Sequence, residues 1–327
     1  MTKHTLPPNA RVAAPGIRYP AAHTGLEDQH GWSLRSSNSN RRLTPQAGAA
    51  TARGLMINEL LIIIGTAACG YALRTFDHPA VRKTGALIYL AATYLAGWLV
   101  TGSHAAGAAA VSGWFLLPWV EIVLKVRKMR LPLTRSLKHR YPPNRDDFPH
   151  LGDLTDELET EGFAQTDDAG LDWEEMRQFL RVCYHAPSLT QAVIHLNQQS
   201  NLSVVFVSIT CRTLDGRVIT TSNYPFSQTM QSPPEVLLHR VPTADSFAEL
   251  LAEHRSFLAL LAVGEQDLAN PAEEALGDLL QSDLDSQVQH NLGRGLIVES
   301  GNGTFRYSWR GCFYLWGQFL KDMVRFA

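Results

Sequence analysis

Cys183 and His185 stand two residues apart in an apolar run, so on a strand both side chains leave the same face. A thiol and an imidazole together begin a zinc site, but such a site needs a third and a fourth ligand, and none lies nearby in sequence. Thr221, Ser222, Asn223 and Tyr224 fall within 220–226, where a strand end passes into a loop. A polar strand end can bind a ligand, although turn chemistry also explains Ser, Asn and Pro at such a place. Glu121 lies inside an apolar segment, where an ionisable residue is a functional candidate by default. Lys125 follows it by four residues, and an i,i+4 ion pair at the headgroup level is the simpler reading. Arg294, Arg306 and Arg310 form a basic set near the C-terminus. Beyond these, the chain has no GxSxG elbow, Walker A loop, HExxH or CxxC pair, and no cofactor or metal is expected. The acidic run Asp153, Asp156, Glu157, Glu159 and Glu161 reads as the wet face of a helix.

Three apolar segments, 55–73, 84–100 and 107–126, must be placed before any of these residues. Each is close to the roughly 20 residues that carry a helix across a bilayer about 30 Å thick. The connection 101–106 is short and uncharged, so the second and third segments should form an antiparallel helical hairpin. His104 in that connection should simply be solvated. Pro118 should kink the third helix, while Gly97, Gly107 and Gly113 suit close helix packing. Trp98, Trp114 and Trp119 read equally as interface anchors or as lipid-facing bulk. With three spans, Arg74, Arg82 and Lys83 fall on the same side as the basic run 125–145. Positive charge at span ends favours the cytoplasmic side, which predicts a bacterial-type inner-membrane protein with a cytoplasmic C-terminal domain. The run 125–145 includes Arg135 and Arg145 and should attract anionic lipid headgroups besides setting topology. The sequons at Asn201 and Asn302 would then be unused.

Residues 1–54 are rich in Pro, Ser, Asn, Ala and Arg without a hydrophobic period, which predicts a disordered tail. A targeting segment is a second reading of it, and a translation start at Met56 a third. Residues 127–147 read as a basic juxtamembrane linker, 148–263 as an α+β domain, and 264–327 as a C-terminal module.

Within 148–263 the pattern predicts about five mostly antiparallel strands with helices. Leu151, Leu154 and Leu158 mark a first helix, and 163–166 and 179–184 mark strands. Ser188-x-x-Gln191 reads as a capping box opening a helix with Leu189, Val193 and Leu196 inward. The run 202–212 is the strongest strand, Asp215-Gly216 turns it into a hairpin, and 236–241 supplies the fifth strand. Asp245 should cap a helix whose stripe includes His254, read as a core histidine. In the last part, Asn270-Pro-Ala-Glu273 opens a helix or helix pair ending at Gly293. Ser-Gly-Asn-Gly at 300–303 makes a hairpin, and Ser308 caps a final helix. This order resembles a winged-helix module over the last 55 or so residues. The would-be recognition helix, 283–292, carries two aspartates and no Lys or Arg, so the resemblance implies protein interaction rather than DNA binding.

Charge agrees with that. Residues 1–145 hold 18 Lys and Arg against 5 Asp and Glu, a net of +13, and residues 146–327 hold 11 against 26, a net of −15. These sum to the overall −2, and an acidic C-terminal half repels phosphate backbones, so nucleic acid is an unlikely partner. The widely spaced Cys69, Cys183, Cys211 and Cys312 suit free thiols in a reducing compartment. The expected function is therefore a membrane-anchored protein-binding or scaffolding module with an unknown protein partner. A membrane-tethered winged-helix regulator is the first alternative, and an enzyme with an active site dispersed in the α+β domain is the second. Mass measurement of the native N-terminus distinguishes a start at Met1 from one at Met56: a first residue upstream of 56 overturns the internal start.

Overall fold

The computed structural model describes residues 46–76, 78–134, 136–144, 148–173, 176–199 and 202–326. The expectations on residues 1–45, Arg135, Arg145 and the Asn201 sequon lie outside the described residues. Three helices come first: α1 (Gln46–Arg74), α2 (Pro79–Thr101) and α3 (His104–Leu124). Their apolar windows, Ile57–Arg74, Pro79–Thr101 and His104–Lys128, are long and apolar enough to cross a membrane. The first helix starts at Gln46, upstream of the expected Leu55, and Arg82 and Lys83 belong to the first turns of α2 rather than to a loop. Pro79 opens α2, and Gly102 closes it with φ +69° while its N–H reaches the Trp98 carbonyl at 2.7 Å.

Small residues set how closely the helices approach. A Cβ on Gly97 would lie 2.7 Å from the Ala106 oxygen, and one on Gly107 would lie 2.8 Å from the Tyr94 oxygen. Gly70 and Gly85 do the same where α1 meets α2. Gly113 faces open space and takes no part in packing, contrary to expectation. His104 is not merely solvated either. Its ring stacks on Trp98 at 5.0 Å and its Nδ1 pairs with the Tyr94 hydroxyl at 2.7 Å, tying the ends of α2 and α3.

Seven strands, not about five, build the main sheet, in the order β2-β3-β4-β5-β6-β7-β8. They are β2 (Lys138–His139), β3 (Ala164–Trp173), β4 (Met176–His185), β5 (Thr190–Gln199), β6 (Leu202–Arg212), β7 (Val218–Ser222) and β8 (Val236–Arg240). All neighbours are antiparallel except β7 and β8, which residues 223–235 connect as a crossover. The helix expected after Ser188 is instead β5. Its residues also alternate: Ala192, Ile194 and Leu196 enter one core, while Val193 enters another. Pairing with β4 on one edge and β6 on the other outweighs a local cap. The side chain that would have capped the helix is used elsewhere: the Ser188 hydroxyl meets His185 Nδ1 at 2.6 Å.

Helices α4 (Leu151–Thr160) and α5 (Phe247–Leu260) cover one face of this sheet. Leu151, Leu158, Phe247, Leu250 and Leu251 pack there on Phe179, Ile194 and Ile209. Ser246, one residue later than expected, caps α5 by accepting from the Glu249 N–H at 3.2 Å. On the same face, buried Arg181 makes a bidentate pair with buried Asp168, at 2.9 and 2.8 Å, and donates to Thr155 at 3.0 Å. Removing either charge would strand the other, a loss of about 3–5 kcal/mol. Helix α6 (Leu276–Gly293) covers the opposite face through Leu276 and Leu280, and Arg212 anchors its Asp283 at 3.0 Å. It is one helix preceded by a 3-10 turn at Glu273–Ala275, not a helix pair.

The chain ends in the hairpin β9 (Ile297–Gly301) and β10 (Thr304–Tyr307) and in helix α7 (Trp309–Phe326). Gly301, Asn302 and Gly303 all take positive φ, which makes the tight turn possible. Strand β1 (Leu131–Pro132) completes a second, three-stranded sheet by pairing with β10. The expected linker 127–147 is thus not a free tether. Beyond β1 and β2, the Leu133 N–H reaches the Gly303 oxygen, the Leu137 N–H reaches Gln281, and the Arg140 N–H reaches the Asp168 oxygen, each at 2.8 Å. The indole of Trp173, at the β3–β4 turn, donates to the Arg130 carbonyl at 2.8 Å.

The C-terminal core includes α3 itself. Ile122, 1% exposed, clusters with Phe305, Tyr307, Cys312 and Leu315, with Trp119 and Val126 at the margin. Gly311 lets α7 press on the hairpin: a Cβ there would overlap the Leu296 carbonyl oxygen. Gly311→Ala should therefore cost roughly 3 kcal/mol. Gly317→Ala, which meets nothing within 4 Å, should stabilise the helix by about 1 kcal/mol. Thermal melts of the two detergent-solubilised variants check this, and equal melting temperatures would contradict the packing.

Candidate functional site

Arg140 leaves the end of β2 and crosses over β3 at Gly170. A Cβ on Gly170 would stand 2.6 Å from the Gln178 carbonyl oxygen and 2.7 Å from the Arg140 Cδ, so only glycine leaves room for this crossing. The guanidinium then pairs with Asp172 and donates to the Gln178 carbonyl at 3.4 Å. Beyond it lies a cavity of about 250 Å³. One wall is the segment from Arg140 to Asn144, in which Pro142 and Pro143 fix the backbone direction. The other is the sheet, through Arg177, Phe179, Leu196 and Gln198. Phe179 and Leu196 are buried and form an apolar floor, while Arg177 is exposed at the rim and Tyr141 is 84% exposed. The described lining holds no carboxylate, thiol or imidazole. An apolar floor with the exposed Arg177 guanidinium at its rim, beside an Arg140 already paired with Asp172, suits an anionic group carried on an apolar stem.

Sequence reasoning missed this cleft because its walls are far apart in the chain. Arg140 belonged to an expected linker and Leu196 to an expected helix. The double proline at 142–143 was the available signal, since it announces a stiff segment.

The residues singled out beforehand do not converge. Thr221 is fully buried, with its hydroxyl 2.9 Å from His254 Nδ1. Ser222 is buried and donates to the Val207 carbonyl at 3.1 Å, and Asn223 accepts from the Val207 N–H at 2.7 Å. Thr221 and Ser222 are therefore interior residues rather than a functional surface, because the strand end folds back on β6 and uses up its hydroxyls. Tyr224 packs against Phe206, ring centroids 4.7 Å apart. Arg294 and Arg310 are exposed and Arg306 is half-buried. Glu121 pairs with Lys125 at 2.7 Å, as the i,i+4 spacing implies. Cys183 is buried in the core beneath α4 and α5, and burial pushes its thiol up to about 12. Cys183 on β4 and Thr221 on β7 are three strand spacings apart, about 14 Å. Among the described residues no group of three or more His, Cys, Asp and Glu is placed to hold a metal ion.

Two histidines complete the polar interior. His195 is pushed down to about 3 and His254 to about 4, in both cases chiefly by burial. His195 Nε2 meets the Ser208 hydroxyl at 2.8 Å, its ring stacks on Phe206, and its Nδ1 is buried without a partner. His254 leaves its Nε2 in the same condition.

Both rings stay neutral in the fold but gain a proton when unfolded below the ordinary value of 6.5. Their stabilising contribution is complete above pH 6.5 and is lost as pH falls from 6.5 towards 4. At pH 5 the loss should be about 2 kcal/mol for each ring. Melting temperature should thus fall steeply from pH 7 to pH 5, and His195→Asn should remove about half of that slope. A flat profile would contradict the burial of the two rings. No protein-family model, curated protein or solved structure matches this chain.

Proposed function

We propose that this protein is a membrane-anchored binding module. In this proposal α1–α3 hold the C-terminal α+β domain at the cytoplasmic face of an inner membrane, and the domain docks or scaffolds another protein there. The observation that carries it is the continuity of α3 with the domain core through Ile122, Phe305, Cys312 and Leu315. A tether that only localised a domain would not need to share its core. A shared core fixes the domain's orientation towards the bilayer, which a docking platform requires.

The cleft between Arg140 and Arg177 is the docking point of this proposal, and its chemistry favours an acidic side chain of the partner next to an apolar one. The basic side chains Lys125, Arg127, Lys128 and Arg130 support a cytoplasmic placement and contact with anionic headgroups. The α6–β9–β10–α7 unit is the winged-helix-like part of the proposal, in an interaction role. Its helix disfavours a DNA-binding regulator, because 283–292 carries Asp283 and Asp285 and no Lys or Arg. The separation of Cys183 from Thr221 disfavours an enzyme built on those two segments.

Gentle solubilisation of the full chain followed by co-purification tests the proposal. A reproducible protein partner should be recovered with the native chain and be reduced at least tenfold with Arg177→Glu, which reverses an exposed charge that makes no side-chain bond among the described residues. Recovery of no reproducible partner, or full retention of the partner by Arg177→Glu, would overturn the proposed docking.

A further inference from the structure

Helix α7 has three sides: two are used by the rest of the chain, and the third is touched only in its first half. Gly311, Cys312 and Leu315 form the side buried in the C-terminal core. A second, polar side is bonded to the loop after β7. Asp322 accepts from the backbone N–H and the hydroxyl of Ser227, at 2.8 and 2.7 Å, and Arg325 donates to the Pro225 carbonyl at 3.2 Å. The third side carries Trp309, Phe313, Leu320 and Val324, which recur at helical spacing. Three of these are open: Trp309 is 50% exposed, Phe313 56% and Val324 63%. Arg310 and Lys321 flank this edge and are themselves exposed.

The edge continues the apolar surface of α3. Trp119 of α3 stacks on Phe313 at 4.4 Å and lies 6.3 Å from the Trp309 ring. Arg127, just beyond α3, sits 3.9 Å over the Trp309 ring. The Trp316 indole donates to the Phe115 carbonyl of α3 at 2.8 Å. That carbonyl lies in the turn loosened by Pro118, where an interior proline leaves backbone oxygens open to a neighbour's donor. These contacts involve the first half of α7, and Leu320 and Val324 extend the edge past them. The neighbouring surface of α3, including Leu117 and Val120, is likewise exposed and apolar over a segment long enough to span a bilayer.

We propose that α7 is an interfacial helix, which inserts the edge Trp309–Phe313–Leu320–Val324 into the bilayer leaflet reached by the C-terminal end of α3. This rests on the reading of α1–α3 as membrane spans. An apolar edge flanked by basic residues is the form that lies at the boundary between headgroups and acyl chains, with aromatic rings at that level and Arg and Lys reaching the phosphates. The occupant of this edge is thus lipid, because the edge is continuous with a lipid-facing span. On this account the domain meets the membrane twice, through α3 and along α7.

Spin labels on the full chain in phosphatidylcholine–phosphatidylglycerol vesicles test this. Cys69, the exposed native thiol, is replaced by alanine, and single labels are placed at Val324→Cys and, as the reference for a span, at Ile64→Cys on α1. The Ile64 label should be more accessible to dissolved oxygen than to a water-soluble nickel complex, and the Val324 label should show the same order. An oxygen-accessible Ile64 label with a nickel-accessible Val324 label would overturn the proposal for α7 while leaving the spans intact. A Val324 label shielded from both reagents would overturn it in favour of a protein covering this edge. A nickel-accessible Ile64 label would instead overturn the membrane reading beneath it. Phe313→Cys, on the same edge, gives an independent second site and should follow Val324.

Discussion

Helix α3 has to satisfy two environments at once, and this constraint shapes the rest of the molecule. Its first half packs on α2 through Gly97 and Gly107, where any side chain would collide with backbone. Its last turns are buried among Phe305, Cys312 and Leu315. Burying an isoleucine such as Ile122 contributes about 1.5–3 kcal/mol, so this contact is a real part of the domain's stability rather than a passing touch. Pro118 sits between the two halves. An interior proline is costly in a lone helix, but here the Phe115 carbonyl nearby finds a donor in the Trp316 indole. The last helix of the chain thereby closes on the third, and the domain between them is held at both ends.

The seven-stranded sheet supplies the stiffness that makes this closure useful. Its central strands β3 to β6 pair along almost their full lengths, and α4, α5 and α6 cover it from both sides. The segment from 126 to 144 is then threaded onto both sheets, as β1 beside β10 and β2 beside β3. The cleft at Arg140 follows directly: a chain pinned along the sheet edge and stiffened by two prolines stands off the floor formed by Phe179 and Leu196. Position, rigidity and chemistry of the cleft have one cause.

Much of this was legible in the sequence and some was not, for identifiable reasons. The spans, the Asp215-Gly216 and Gly301-Asn302-Gly303 turns, α4, α5 and the strong strand β6 rest on local rules, and local rules suffice for them. Strand β5 was misread because Leu189, Val193 and Leu196 fit a helical period while Ala192, Ile194 and Leu196 fit a strand, and only the two neighbouring strands decide. Strands β1 and β2 have two residues each and exist only because distant partners accept them. Gly113 looked like Gly97 and Gly107 but faces open space, since which side of a helix meets its neighbour is a tertiary fact. The polar strand end 221–224 attracted attention by composition, yet its hydroxyls complete the interior. The cleft itself was invisible because Arg140 and Arg177 acquire their meaning only when β2 is laid beside β3.

Amide hydrogen exchange on the full chain in lipid nanodiscs tests the central claim most directly, which is that the domain is fixed to α3 and not tethered to it. The account predicts that the amides of Leu133, Leu137 and Arg140 exchange as slowly as those of the sheet strands beside them, because each is bonded to a distant part of the fold. Rapid exchange at all three, at the rate of an unstructured peptide, would show a loose linker and contradict it.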